Sequence, residues 1–233
     1  MALDTQAQRM DILNRLAKAN VDALNDAAGQ ANSEQANSEQ AIADQANVSP
    51  ADKALSQKSS AELCAHFSRV LSAHNSTIHP LTSIAELPQA IADYLSKFSL
   101  APIIYGGNNP RLNTLPWMNV GIQWREQAFS EDGLVAIAEA ECAIADTGTL
   151  ILLSSDKNPT RNNFLAEHQL VLLQQEKIVA YSEDAWRLLL QRYSTLPRAI
   201  NFISGPSSSA DVGLKLEYGA HGPRALGVFI LTG

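Results

Sequence analysis

From residue 101 onward the chain is punctuated by short apolar runs: APIIY, VGIQW, LVAIA, CAIAD, TLILLS, QLVLLQ, AINFIS and LGVFIL. Each is rich in aliphatic side chains and bounded by Gly, Pro, Asn, Asp or Ser, as buried strands are. Successive side chains of a strand point to opposite faces, so a run that is apolar throughout needs cover on both sides. Helical segments supply that cover. SSAELCAHFSRVLSAHN opens with a Ser-x-x-Glu cap at Ser59 and Glu62 and places Leu63, Phe67, Val70 and Leu71 on one stripe. A second Ser-x-x-Glu, Ser83 to Glu86, precedes Leu87, Ile91, Tyr94, Leu95 and Phe98, and SEDAWRLLLQRY predicts a further helix over 182–193. Strands and helices in this alternation predict an α/β fold built as a three-layer, mostly parallel sheet.

The first sixty residues are of another kind. Met10, Leu13, Leu16, Ala17, Val21 and Leu24 recur at helical spacing, which predicts an N-terminal amphipathic helix within 1–27. A Gln-Ala-Asn-Ser-Glu repeat follows from Gln30, too poor in large apolar groups to offset the entropy of ordering it. It reads as a low-complexity linker over 28–58, leaving 59–233 as the α/β domain. A repeat this short does not mark a solenoid.

A net charge of −7 leaves no basic excess to neutralise a phosphate backbone, so nucleic acid is not an expected partner. Nowhere do ~18 or more apolar residues follow one another, so no membrane span is expected. The opening segment lacks the apolar run of a signal peptide, which places the chain in the cytoplasm. Cys64 and Cys142 stand alone, without the companions of a disulfide framework, a zinc site or an iron–sulfur site, and read as small buried apolar residues. No metal site is expected. GxGxxG, P-loop, GxSxG and HExxH patterns are missing too.

Chemistry must then come from the loops leaving these runs, since ligands of open α/β sheets usually lie beyond the carboxyl ends of the strands. Asp146-Thr147-Gly148-Thr149 separates CAIA from LILLSS. It is either a hairpin turn capped by Asp146, or a loop whose hydroxyls and amides meet an anion. Ser204-Gly205-Pro206-Ser207-Ser208-Ser209-Ala210-Asp211 follows the run AINFI. Leading into a short helix, it would offer free N–H groups and a positive dipole end; the bland alternative is a capped helix with no ligand. The alternation of Val212, Leu214, Leu216 and Tyr218 leaves a strand open there. Gly219-Ala220-His221-Gly222-Pro223-Arg224 brings an imidazole that can give or take a proton and a guanidinium that can pair with an anion. Histidines 66, 74, 79 and 168 read as surface or satisfied polar positions. Glu139 and Glu141 can act as acid and base but read first as solvated loop carboxylates, and Trp117 and Trp124 read first as core.

Taken in order, D-T-G-T, S-G-P-S-x-x-A-D and H-G-P resemble the lactate utilization protein C family of the LUD-domain group, and RMDILNRLAKA resembles that family's N-terminal helix. The QANSE repeat departs from it. The resemblance implies a ribose-5-phosphate isomerase/CoA-transferase-like fold and a part in oxidising L-lactate to pyruvate beside two iron–sulfur partners, lactate utilization proteins A and B. It marks Asp146, Thr147, Gly148, Thr149, Ser204, Gly205, Pro206, Ser207, Ala210, Asp211, His221, Gly222 and Pro223 as site positions, with Asp146 and His221 the catalytic candidates and a small carboxylate such as lactate the ligand. Lactate oxidation removes two electrons, and two isolated cysteines cannot hold a four-thiolate cluster. No cofactor is therefore expected on this chain; clusters belong to the partners. A stand-alone enzyme for a phosphosugar or CoA ester, and a noncatalytic assembly factor, are the alternatives.

Overall fold

In the computed structural model, residues 54–126, 135–209 and 217–233 are described. The N-terminal helix, the QANSE repeat and Asp211 lie outside them.

Helix α1 (Ser60–Ala73) begins where the capping box predicts it: Ser59 Oγ accepts from the Glu62 N–H, and the Ser59 N–H donates to Glu62 Oε2. The Ser59 N–H and hydroxyl, both donating to the Glu62 carboxylate, with Lys58 nearby, hold that carboxyl below its usual range. Just before it a single turn, Ala54–Gln57, buries Leu55, whose N–H donates to the Tyr181 hydroxyl. The Ser83 cap starts a tight turn, Ile84–Glu86, and α2 (Leu87–Lys97) follows with Pro88 in its first turn, where a missing N–H costs nothing. Short α3 (Pro110–Asn113) and α4 (Thr160–Leu165) and the longer α5 (Ser182–Arg192) follow along the chain.

The strands are β1 (Thr77–Leu81), β2 (Ile103–Tyr105), β3 (Gln123–Arg125), β4 (Val135–Glu139), β5 (Cys142–Ile144), β6 (Thr149–Leu153), β7 (His168–Gln174), β8 (Ile178–Val179), β9 (Ile200–Ile203), β10 (Ser208–Ser209), β11 (Glu217–Tyr218) and β12 (Ala225–Leu231). Six of them form one sheet, in the order β1-β12-β7-β4-β2-β3, and every neighbouring pair is parallel. This is the mostly parallel α/β sheet that the apolar runs predict. Alternation divides its residues cleanly. Ile137, Leu170, Leu172 and Phe229 face α2 and its Leu87, Ile91 and Leu95. Val171, Leu173, Val228 and Ile230 face Phe67 and Leu71 of α1.

What periodicity did not separate is a second sheet, β8-β5-β6-β9, in which β6 runs antiparallel to both β5 and β9. Leu150 and Leu152 of β6 join α1 against the main sheet. Ile151 and Cys142 face the other way, onto Ala185 and Leu189 of α5. One face of the parallel sheet is thus covered by a helix plus a small sheet rather than by helices alone. Residues 53–233 form one compact unit. No helix among the described residues is long and apolar enough to cross a membrane.

Candidate functional site

The DTGT segment is a hairpin turn between β5 and β6. Gly148 has φ 61°, and a Cβ there would stand 2.9 Å from the Leu71 backbone nitrogen, so the turn lies against α1 at a distance only glycine allows. The Asp146 side chain is exposed, while its N–H donates to the Ala180 carbonyl. The hydroxyls that follow do reach the second motif. Thr147 Oγ1 is 2.7 Å from Thr149 Oγ1, and Thr149 Oγ1, buried, is 2.7 Å from Ser204 Oγ.

Ser204 leaves β9 held from two sides. Its hydroxyl meets Thr149, and its carbonyl lies 2.8 Å from Nδ1 of His74, at the end of α1. Gly205 crosses His74 so closely that a Cβ would lie 2.9 Å from the His74 carbonyl oxygen. Ser207 then joins the second motif to the third. Its N–H donates to the Pro223 carbonyl at 2.8 Å, its carbonyl accepts from the Gly219 N–H at 2.9 Å, and its Oγ accepts from the His221 N–H at 3.3 Å.

Most of the short helix expected after Ser207 falls on residues 210–216, which lie outside the described residues. Ser208 and Ser209 form β10, paired antiparallel with Glu217 and Tyr218 of β11. At its described ends, Ser208–Ser209 and Glu217–Tyr218, this segment is extended. Ala210 and Asp211 lie outside the described residues.

These two motifs line one cleft of about 240 Å³. Ser204, Gly205, Ser207, His221, Gly222 and Pro223 form one part of its wall; Phe164, Phe202, Ile203 and Leu226 supply apolar surface. Asp146, Thr147, Gly148 and Thr149 do not line it. Thr149 bears on it through Ser204. Two further residues line the cleft that no motif marked, Asn163 near the end of α4 and Gln169 at the start of β7. Both are 1% exposed, yet Asn163 Nδ2 and Gln169 Oε1 have no hydrogen-bond partner. Such groups cost about 1–3 kcal/mol each when left unmet in a fold. Their only sequence signal is polarity beside the apolar run LVLL.

A second, larger cleft of about 610 Å³ lies at the opposite, carboxyl ends of the parallel strands. Its two glutamates are partnered. Glu139 accepts from Arg111 at 2.7 Å, Gln174 at 2.9 Å and Asn109 at 3.3 Å; Glu141 pairs with Arg192 at 2.6 Å. They are strand-end groups in ion pairs, not solvated loop carboxylates. Trp117 and Trp124 stack at 5.3 Å in and against the core, as expected of tryptophan. Arg224 pairs with Glu167 at 3.0 Å, both exposed. His168 is buried against the Tyr94 hydroxyl, and His66 meets Arg69 on α1. No cluster of three or more potential metal ligands occurs among the described residues.

The sequence model of the LUD domain matches residues 53–231. The chain belongs to the LUD-domain family. The lactate utilization protein C of Halalkalibacterium halodurans is 29% identical over 195 residues, covering 76% of this chain and 82% of that one. The protein of the same name from a Geobacillus strain is 26% identical over 170 residues, covering 65% and 70%. The family resemblance read from the three motifs therefore holds. A crystal structure of a DUF162 family protein from Deinococcus radiodurans superposes with a TM-score of 0.57 at 22% identity, over 75% of this chain and 99% of that one, which shows the shared fold.

Proposed function

We propose that this LUD-domain chain serves lactate utilization as the subunit that binds L-lactate and completes the site at which iron–sulfur partners, lactate utilization proteins A and B, oxidise it to pyruvate. The observation that carries this reading is the convergence of SGPS and HGP on one cleft that holds unmet buried polar groups. The names of its relatives supply the metabolic context.

The cleft's chemistry suits a small carboxylate with an apolar substituent. Hydroxyls of Ser204 and Ser207 offer donors to the carboxylate, and Phe164, Phe202 and Leu226 offer apolar cover to a methyl group. His221 has its backbone fixed by Ser207 and an exposed side chain, placing an imidazole at the cleft to take the proton of the substrate hydroxyl. The two electrons and the C2 proton pass to the partners' redox centres. The cysteines support this division. Burial pushes the Cys142 thiol up to about 12 and raises that of Cys64, which makes both poor thiolate donors.

The test is genetic and biochemical together. A strain lacking this chain should fail to grow on L-lactate, and wild-type chain but not His221→Ala should restore lactate-dependent dye reduction by the purified partners. Normal growth of the deletion strain would overturn the reading.

A further inference from the structure

The two unmet atoms of the cleft have fixed chemical identities. Gln169 Nε2 donates to the Leu170 carbonyl at 3.4 Å and to Asn163 Oδ1 at 3.3 Å. A carbonyl accepts only, so Leu170 sets which end of the Gln169 amide is nitrogen, and Gln169 in turn sets Asn163. What remains is one acceptor, Gln169 Oε1, and one donor, Asn163 Nδ2. The return bond that would close the two amides on each other is not made. Because one hydrogen bond joins the two carboxamides, the free acceptor and the free donor belong to a single small region of the cleft wall.

We infer that Asn163 and Gln169 are specificity-determining residues that read the C2 alcohol of a 2-hydroxy acid and select it over the 2-oxo acid. The inference rests on the reading of the cleft as a small-carboxylate site. An alcohol is the simplest group that meets both atoms at once: its O–H donates to Gln169 Oε1, and a lone pair accepts from Asn163 Nδ2. A ketone has no proton to donate, so Gln169 Oε1 stays unmet, and a methylene meets neither atom. Sites that bury an acceptor for a substrate hydroxyl discriminate strongly against analogues lacking the proton, because the penalty of the unpaired group returns. The pair is also neutral. It suits an uncharged alcohol, leaving the carboxylate to Ser204 and Ser207. Oxidation then removes the bond that held the substrate, and the oxo product leaves a site no longer complementary to it.

Calorimetric titration of the full chain with L-lactate, pyruvate and propionate tests this without any substitution. L-Lactate should bind about tenfold or more tightly than either of the others, a difference of ~1.4 kcal/mol or more. Gln169→Leu, close in volume, should erase that preference while leaving propionate affinity within about twofold, and Asn163→Asp should weaken lactate binding by about tenfold. Equal affinity for the three acids would overturn the inference and leave the carboxylate site standing. Binding of none of them would overturn the proposed function itself. Should the variants fail to fold, the wild-type ranking still decides.

Discussion

The two ends of the parallel sheet hold polar groups in opposite states. At the carboxyl end Glu139 is met by Arg111, Asn109 and Gln174, and Glu141 by Arg192, so the cleft there is wide and its two glutamates are matched. At the amino end of β7 and β12 the cleft is smaller, carries no Lys or Arg among the described residues, and leaves a buried donor and a buried acceptor unmet. Open α/β sheets usually bind ligands beyond the carboxyl ends of their strands. Here the strand-end glutamates of that region are satisfied by neighbouring side chains. The second sheet accounts for the difference: β9 carries the SGPS motif to the start of β7 and β12, where HGP enters the final strand.

The comparison can be broken most forcefully at the turn that supports the motif cleft. Gly148→Val puts a side chain on a positive-φ residue against the α1 backbone and should cost about 2–4 kcal/mol in thermal or urea unfolding. An unchanged midpoint would show that the turn does not depend on this approach. Next comes the matched end. Glu139→Ala strands a half-exposed Arg111 and two amides, and should lower stability by about 1–2 kcal/mol while leaving L-lactate affinity within about twofold. A large loss of affinity would move the site to the carboxyl end. Ser207→Val should do the reverse, weakening lactate binding by about tenfold or more with a small change in midpoint.

A smaller effect separates stability from binding by pH. Burial lowers the pKa of His79 below 6.5, helped by Lys97, and burial likewise lowers that of His168, where Glu167 opposes and Arg224 adds. Below about pH 6.5 the unfolded chain therefore binds more protons than the folded one. The stability tied to these neutral histidines is complete above that pH and is lost as pH falls through the folded values. His168→Gln should flatten this decline between pH 7 and 5 in urea titrations. The smallest effect belongs to Asp146→Asn, whose exposed side chain lies outside the cleft; lactate affinity should hold within about twofold.

Sequence alone carried the parallel sheet, because apolar runs buried on both faces leave few other solutions, and it carried α1 because the Ser59–Glu62 cap is a local device. It did not separate the second sheet, since CAIA and LILL read the same whether their neighbours are parallel or antiparallel. Nor was the pairing of Ser208 and Ser209 with Tyr218 and Glu217 legible, because Ser208 resembles a helix cap locally and the pairing is set by a distant segment. Of the site, SGPS and HGP were legible as loops rich in Gly and hydroxyls. Asn163, Gln169 and His74 were not, because their roles arise only where α4, β7 and α1 meet the motif loops.

Amide hydrogen exchange of the full chain with and without saturating L-lactate tests the central claim most directly. Protection is predicted at Ser204, Gly205 and Ser207 and at Gly219–Gly222, with little change at Asn109 or Ser154–Asn158. Protection confined to Asn109 and Ser154–Asn158 would place the ligand at the carboxyl end and contradict the account.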